Sequence, residues 1–293
     1  MQTEFDKIAG YKEEKEALKE LTKLIANRDK LKSMGGKLPR GLFLIGPNGT
    51  GKTILAKSFI KESKVNYITI DANDIEDDDE FTPYIKSKLD EASKKTPCII
   101  FIDEIDKLIG NGEHFFAQSN FDRSRTLLNE INNHADVEGL FYLFVANEEY
   151  DLDYSMIRSG RIDRIINIKL PNEDEREEIF NYYLRNVKHD NSIDVKRLAI
   201  ISTRFSGADI ESLINNAVIK AFTNDKECIS QEELMTVYFD KVFTSTGKEK
   251  KYTEEENEVT DADIDFESFV EDETNEEDDE NNSECQWYNL YTC

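Results

Sequence analysis

The chain has 293 residues, enough for one large domain or two ordinary ones, and a net charge of −25. No apolar run approaches the ~18 residues of a membrane span, and no charged-then-apolar leader opens the chain, so neither a span nor a secretory signal is expected. Residues 254–284 hold 17 Asp or Glu and no Lys or Arg, which leaves about −8 for everything else. That balance disfavours nucleic acid as a partner, because no excess of cations is available for phosphates. Cys98, Cys228, Cys285 and Cys293 are scattered, with no CxxC pair. A disulfide framework or zinc site is therefore not expected, and a reducing, cytoplasmic compartment fits best.

In chain order, Glu13 to Lys32 reads as an amphipathic helix, with Leu18, Leu21, Leu24, Ile25 and Leu31 at helical spacing. Gly41 to Ile45 is a short apolar run that reads as a buried strand, followed by a helix over Thr53 to Lys61. Val65 to Ile70 alternates as a strand, and Ile85 to Lys95 reads as a helix closed by Thr96-Pro97. Cys98 to Ile102 and Leu140 to Ala146 are continuous apolar strands on either side of a helix over Ser124 to Asn132. Ile162 to Leu170 includes the last strand of the block. Continuous apolar strands alternating with helices predict an α/β fold with a parallel sheet covered on both faces. After Pro171 the pattern becomes all-helical: Asp174 to Asn186, Asp194 to Ser202, Gly207 to Phe222 and Ser230 to Phe243. Ser206 is a candidate helix start, and Ser230 with Glu233 forms a capping-box pattern. The expected division is an α/β domain over 1–170, a small helical domain over 171–245, and an acidic, disordered tail over 246–293.

Gly46-Pro-Asn-Gly-Thr-Gly-Lys52-Thr53 matches G-x-x-x-x-G-K-[ST] and falls between a predicted strand and a predicted helix. Its glycines (Gly46, Gly49, Gly51) let the backbone N–H groups of the loop, from Asn48 through Thr50 and on to Ile54, turn onto phosphate oxygens at a helix N-terminus, with Pro47 part of the same binding loop but giving no N–H. Lys52 is placed to reach the outer phosphates, and the Thr53 hydroxyl to ligate Mg²⁺. About 50 residues on, Ile99-Ile-Phe-Ile-Asp103-Glu104-Ile-Asp106 buries a strand and releases carboxylates at its C-terminal end, where ligands of parallel sheets sit. Asp103 suits the Mg²⁺ shell and Glu104 a general base for water. Asn147 ends another apolar strand and can aim at the outer phosphate or the water. Arg158, Arg161 and Arg164 follow, and a planar guanidinium is the favoured donor to a transferring phosphoryl group.

Together these segments resemble an AAA+ ATPase module, with the finer match to FtsH-type membrane AAA proteases and then to proteasomal regulatory ATPases. Phe5-Asp-Lys-Ile-Ala-Gly10 resembles the family's adenine-contacting opening, Ile157 to Arg164 its second region of homology, and Phe205-Ser-Gly-Ala-Asp209 its sensor-2 segment. The resemblance covers residues 3 to 245. It implies ATP as substrate with Mg²⁺, adenine against Ile8 and Ala9, and nucleotide against Gly207 and Ala208. It further implies Asn147 as sensor 1 and Arg161 and Arg164 as arginine fingers supplied to a neighbouring subunit. A ring, usually hexameric, that couples hydrolysis to remodelling of a protein substrate is the implied assembly.

The chain also departs from that pattern. It holds three histidines (His114, His134, His189) and no HExxH, so peptidase activity is not expected. Tyr183 stands where relatives place a histidine near the ribose, and Asn132-Asn-His-Ala replaces an Asp-Gly-Phe intersubunit element. The pore-loop region reads Asp74-Ile-Glu-Asp-Asp-Asp-Glu80-Phe-Thr-Pro-Tyr84. Phe81 or Tyr84 grips polypeptide there, or the stretch is a solvated acidic loop that grips nothing; in a ring its charge favours a basic substrate. Two functions thus stand: a protein-remodelling ATPase, and a nucleotide-gated binding or scaffold protein with slow hydrolysis and no threading.

Overall fold

A computed structural model gives the fold; it describes residues 3–75, 77–109, 118–147 and 162–245. A short 3₁₀ turn (Glu4–Lys7) leads into α1 (Lys12–Ala26) and α2 (Arg28–Ser33). The long amphipathic helix expected here is therefore two, broken at Asn27, whose φ of −113° and ψ of 27° leave the helical region. Then come β1 (Gly41–Ile45), α3 (Lys52–Ser63), β2 (Asn66–Ile70), α4 (Asp78–Ser93), β3 (Cys98–Ile102), α5 (Ile105–Ile109) and α6 (Gln118–Asn133). β4 (Leu140–Ala146) and β5 (Arg164–Asn167) complete one parallel sheet in the order β2-β3-β4-β1-β5.

The central strands β1, β3 and β4 are buried on both sides, and their alternate side chains feed opposite cores. Phe43 and Ile45 of β1 pack with Phe81, Ile85 and Leu89 of α4 and Leu127 and Ile131 of α6. Leu42 and Leu44 face the other way, onto Leu18 and Leu21 of α1 and Leu55 and Phe59 of α3. Parallel strands place all their C-terminal ends on one edge. β1, β3 and β4 therefore deliver the phosphate loop, the Asp103-Glu104 pair and Asn147 side by side.

The helices after Pro171 are α7 (Glu173–Leu184), α8 (Val195–Ile201), α9 (Gly207–Thr223) and α10 (Gln231–Ser245). They share a third core around Phe180, Leu198, Ile210, Leu213 and Leu234. Their starts are chemically defined: Asn172 with Glu175 and Ser206 with Asp209 form reciprocal capping boxes. Glu233 accepts from the Ser230 N–H at 2.8 Å and hydroxyl at 2.6 Å at the start of α10.

The stretch 74–84, left open between a gripping loop and a solvated acidic loop, is helical from Asp78 onward. The stretch read as a pore loop is the start of α4, which begins seven residues before the predicted Ile85. Phe81 is 2% exposed inside the sheet core and lies 5.3 Å beneath the Arg123 guanidinium. The Tyr84 hydroxyl donates to Asp74 at 2.6 Å, and its ring is half-buried against the same core. Acidic residues suit a helix N-terminus, because the exposed N–H groups there carry partial positive charge. Among the described residues no helix is long and apolar enough to cross a membrane.

Candidate nucleotide-binding site

A cavity of about 520 Å³ opens at the C-terminal edge of the sheet, between the phosphate loop, the N-terminal segment and the helices α7 and α9, which cover it as a lid. Asn48 through Ile54 form its floor, and Asp103, Glu104 and Asn147 one wall. Ile8 and Ala9 flank it from the N-terminal segment; Tyr183, Gly207 and Ala208 close it from the lid. Of the residues expected in the site, Gly46 and Pro47 lie just behind the floor, where their carbonyls accept from the Lys52 ammonium at 2.7 and 2.8 Å. Arg164 opens β5, exposed and away from the cavity lining. Arg158 and Arg161 lie outside the described residues.

The loop is shaped by two left-handed glycines. Gly49 has φ +78° and Gly51 φ +84°, and Gly51 serves as the N-cap of α3. Gly49 also touches the lid: its carbonyl accepts from the Ala208 N–H at 3.1 Å, and an added Cβ would sit 2.6 Å from Ser206 Oγ. The first turn of α9 thus rests on the phosphate loop. α3 leaves its first N–H groups without helical partners at the cavity floor, a ready anion site.

The Thr53 hydroxyl donates to Asp103 Oδ1 at 3.1 Å, joining the start of α3 to the end of β3. Burial raises the Asp103 pKa, and the Thr53 hydrogen bond opposes that rise. A hydroxyl beside a half-buried carboxylate is an oxygen donor set that suits a small hard cation. Glu104 follows in a left-handed conformation (φ 51°), which turns its side chain off the strand direction; its carboxylate takes the Lys107 ammonium at 2.7 Å. Burial lowers the pKa of Lys52, and among nearby charges Asp106 counters this most, ahead of Asp103 and Glu104.

On the lid side, Tyr183 donates to Glu211 at 3.2 Å and meets Tyr182 edge-on at 5.3 Å. Burial, then Glu211, pushes its hydroxyl up to about 12. The N-terminal segment is pinned to the lid by its backbone: the N–H groups of Gly10 and Tyr11 donate to Glu178 at 3.2 Å and Glu175 at 2.8 Å. Lys15 fixes the Ile8 carbonyl at 2.9 Å. Sequence reading missed Glu211, Glu175, Glu178 and Asp106. Glu211 was findable, since it lies one helical turn beyond Gly207 on the same face of α9.

Comparison with known proteins gives the family. Residues 42–170 match the model of the ATPase family associated with various cellular activities (AAA), and residues 192–236 match the AAA+ lid domain. The two matches together span more than half of the chain, which belongs to the AAA ATPase family. Within it, the chain is homologous to the ATPase module of FtsH/YME1 proteases. It is 35% identical over 260 residues to the ATP-dependent zinc metalloprotease FtsH of Parabacteroides distasonis, covering 86% of this chain and 38% of that protein. The Caenorhabditis elegans zinc metalloprotease YME1 homolog is 35% identical over 231 residues, 77% of this chain and 32% of its own length. Human YME1L1 is 34% identical over 261 residues, with 86% and 33% covered. The chain spans about a third of the length of these relatives.

Proposed function

We propose that this chain hydrolyses ATP with Mg²⁺ in a ring of subunits, and couples the reaction to remodelling a protein substrate. The observation that carries the reading is the Thr53–Asp103 hydrogen bond at the floor of a cavity walled by Glu104 and Asn147. Two oxygen ligands, a loop backbone suited to phosphate, a carboxylate base and the Asn147 amide converge there from three separate segments. Thr53 and Asp103 would hold the Mg²⁺, which would supply positive charge to offset that of the outer phosphates. The loop N–H groups bind phosphate oxygens, and Lys52 exchanges the Gly46 and Pro47 carbonyls for them. Glu104 takes the proton of the attacking water, and Asn147 orients that water. The base packs between Ile8 and Ala9 on one side and Tyr183, Gly207 and Ala208 on the other. Arg161, with Arg164 beside it, reaches the phosphate of a neighbouring subunit. Peptide hydrolysis is no part of this proposal, since no HExxH occurs in the 293 residues.

The test is steady-state ATP hydrolysis across protein concentration, with Arg161→Ala as control. Specific activity should rise with concentration in the wild type and collapse in the variant. Activity that is flat and indifferent to Arg161 would overturn the shared-site ring.

One observation favours the second reading, a nucleotide-gated binder that threads nothing. Phe81 is core and Tyr84 is tied to Asp74, so neither side chain is free to grip a polypeptide. ATPase stimulation by an unfolded basic protein would exclude that reading; slow, unresponsive hydrolysis would support it.

A further inference from the structure

Asp106, the last carboxylate of the Asp103-to-Asp106 segment, has no part in the proposed chemistry. It does not line the cavity, and at 9% exposure it is buried beneath it in α5. Its Oδ2 accepts from Asn147 Nδ2 at 3.0 Å, while its Oδ1 is buried with no hydrogen-bond partner. Leaving a buried carboxylate oxygen unpaired is costly, and a neutral apolar residue at this point in the helix would avoid that cost.

We propose that Asp106 is a positioning residue that fixes which way the Asn147 amide faces. An ionised carboxylate only accepts hydrogen bonds. Asn147 must therefore turn its NH₂ group toward Asp106, and its carbonyl Oδ1 points the opposite way, toward the cavity wall shared with Glu104. There Oδ1 accepts a hydrogen bond from the attacking water and holds it for Glu104. Without a group restricted to accepting, both amide orientations are open, and one of them presents a donor where the water needs an acceptor. This inference rests on the ATPase reading, and its experiment is built so that the two can fail separately.

Asp106→Asn keeps the shape of the side chain but lets it donate as well as accept. A role in packing alone survives this change; a role in fixing the amide does not. Turnover should fall about tenfold while the Kd for a non-hydrolysable ATP analogue stays within twofold. In an Asn147→Ala background, Asp106→Asn should cost no more than twofold further, because the group it orients is gone. Equal turnover in Asp106→Asn and wild type, additive losses in the double variant, or a loss confined to analogue binding would each overturn the proposal. A second readout needs no turnover: the Asn147 side-chain amide resonances in the nucleotide-free protein. Their hydrogen-exchange protection should disappear in Asp106→Ala, which removes the acceptor, and unchanged protection there would refute the amide contact. If the wild type turns over no ATP, the ATPase reading fails, while the resonance still reports on Asp106 and Asn147.

Discussion

Alanine at Gly49 and at Gly51 separates two costs that the phosphate loop combines. Both glycines are left-handed, at φ +78° and +84°. An alanine there carries about 1–2 kcal/mol of backbone strain in either case. The surroundings differ: a Cβ at Gly51 meets nothing within 4 Å, whereas one at Gly49 sits 2.6 Å from Ser206 Oγ and 3.0 Å from Ala208 Cβ. Ser206 cannot simply turn away. It caps α9, its hydroxyl donates to Asp209 at 2.6 Å, and Asp209 in turn holds Lys241 at 2.6 Å. Displacing a cap of this kind costs about 1 kcal/mol. Gly49→Ala should therefore lose about 2–3 kcal/mol and Gly51→Ala about 1–2 kcal/mol. With a urea dependence of about 3 kcal/mol/M, the two midpoints should differ by about 0.3 M in nucleotide-free protein. Equal midpoints, or a less stable Gly51 variant, would refute the contact between lid and phosphate loop.

Glu104→Gln should retain ATP binding and lose turnover by about 100-fold or more, as seen by comparing analogue titration with phosphate release. Phe81→Ala should lower stability by about 3–5 kcal/mol in thermal or urea unfolding, the response of a core aromatic; a variant as stable as wild type would restore the exposed-loop reading. The lid should respond to acid through Glu233. Burial alone would raise its pKa, but Lys226 and the Ser230 hydroxyl and N–H outweigh this and hold the carboxyl at about 2, below the ordinary 4.5. Because the folded value is the lower one, its contribution is complete above pH 4.5 and is lost as pH falls toward 2. Glu233→Gln should flatten the stability profile across that window, measured by urea midpoints from pH 6 to pH 2.5.

The sheet was legible in the sequence because its central strands are buried on both faces. Gly41–Ile45, Cys98–Ile102 and Leu140–Ala146 are unbroken apolar runs, and the observed strands have those same bounds. The start of α4 was not legible. Five consecutive acids before Phe81 look like solvated loop, and only the fold shows that a helix begins at Asp78 and that Phe81 drops into the core. The split at Asn27 left no apolar signal, since helical spacing continues through it to Leu31. In the site, the phosphate loop and the Asp103-Glu104 pair declare themselves by spacing, because backbone geometry fixes their chemistry locally. Asp106 does not. Its meaning depends on Asn147, 41 residues away, and that contact exists only once β3 and β4 lie side by side.

The posture of Lys52 bears on how quickly a phosphate can be taken up. Its ammonium spans the Gly46 and Pro47 carbonyls and so ties the two ends of the loop together. The arriving phosphate meets a finished cradle and substitutes for two carbonyls that the lysine already holds. Under the proposed function, capture would be an exchange of hydrogen-bond partners on one side chain, a motion of the class that takes nanoseconds.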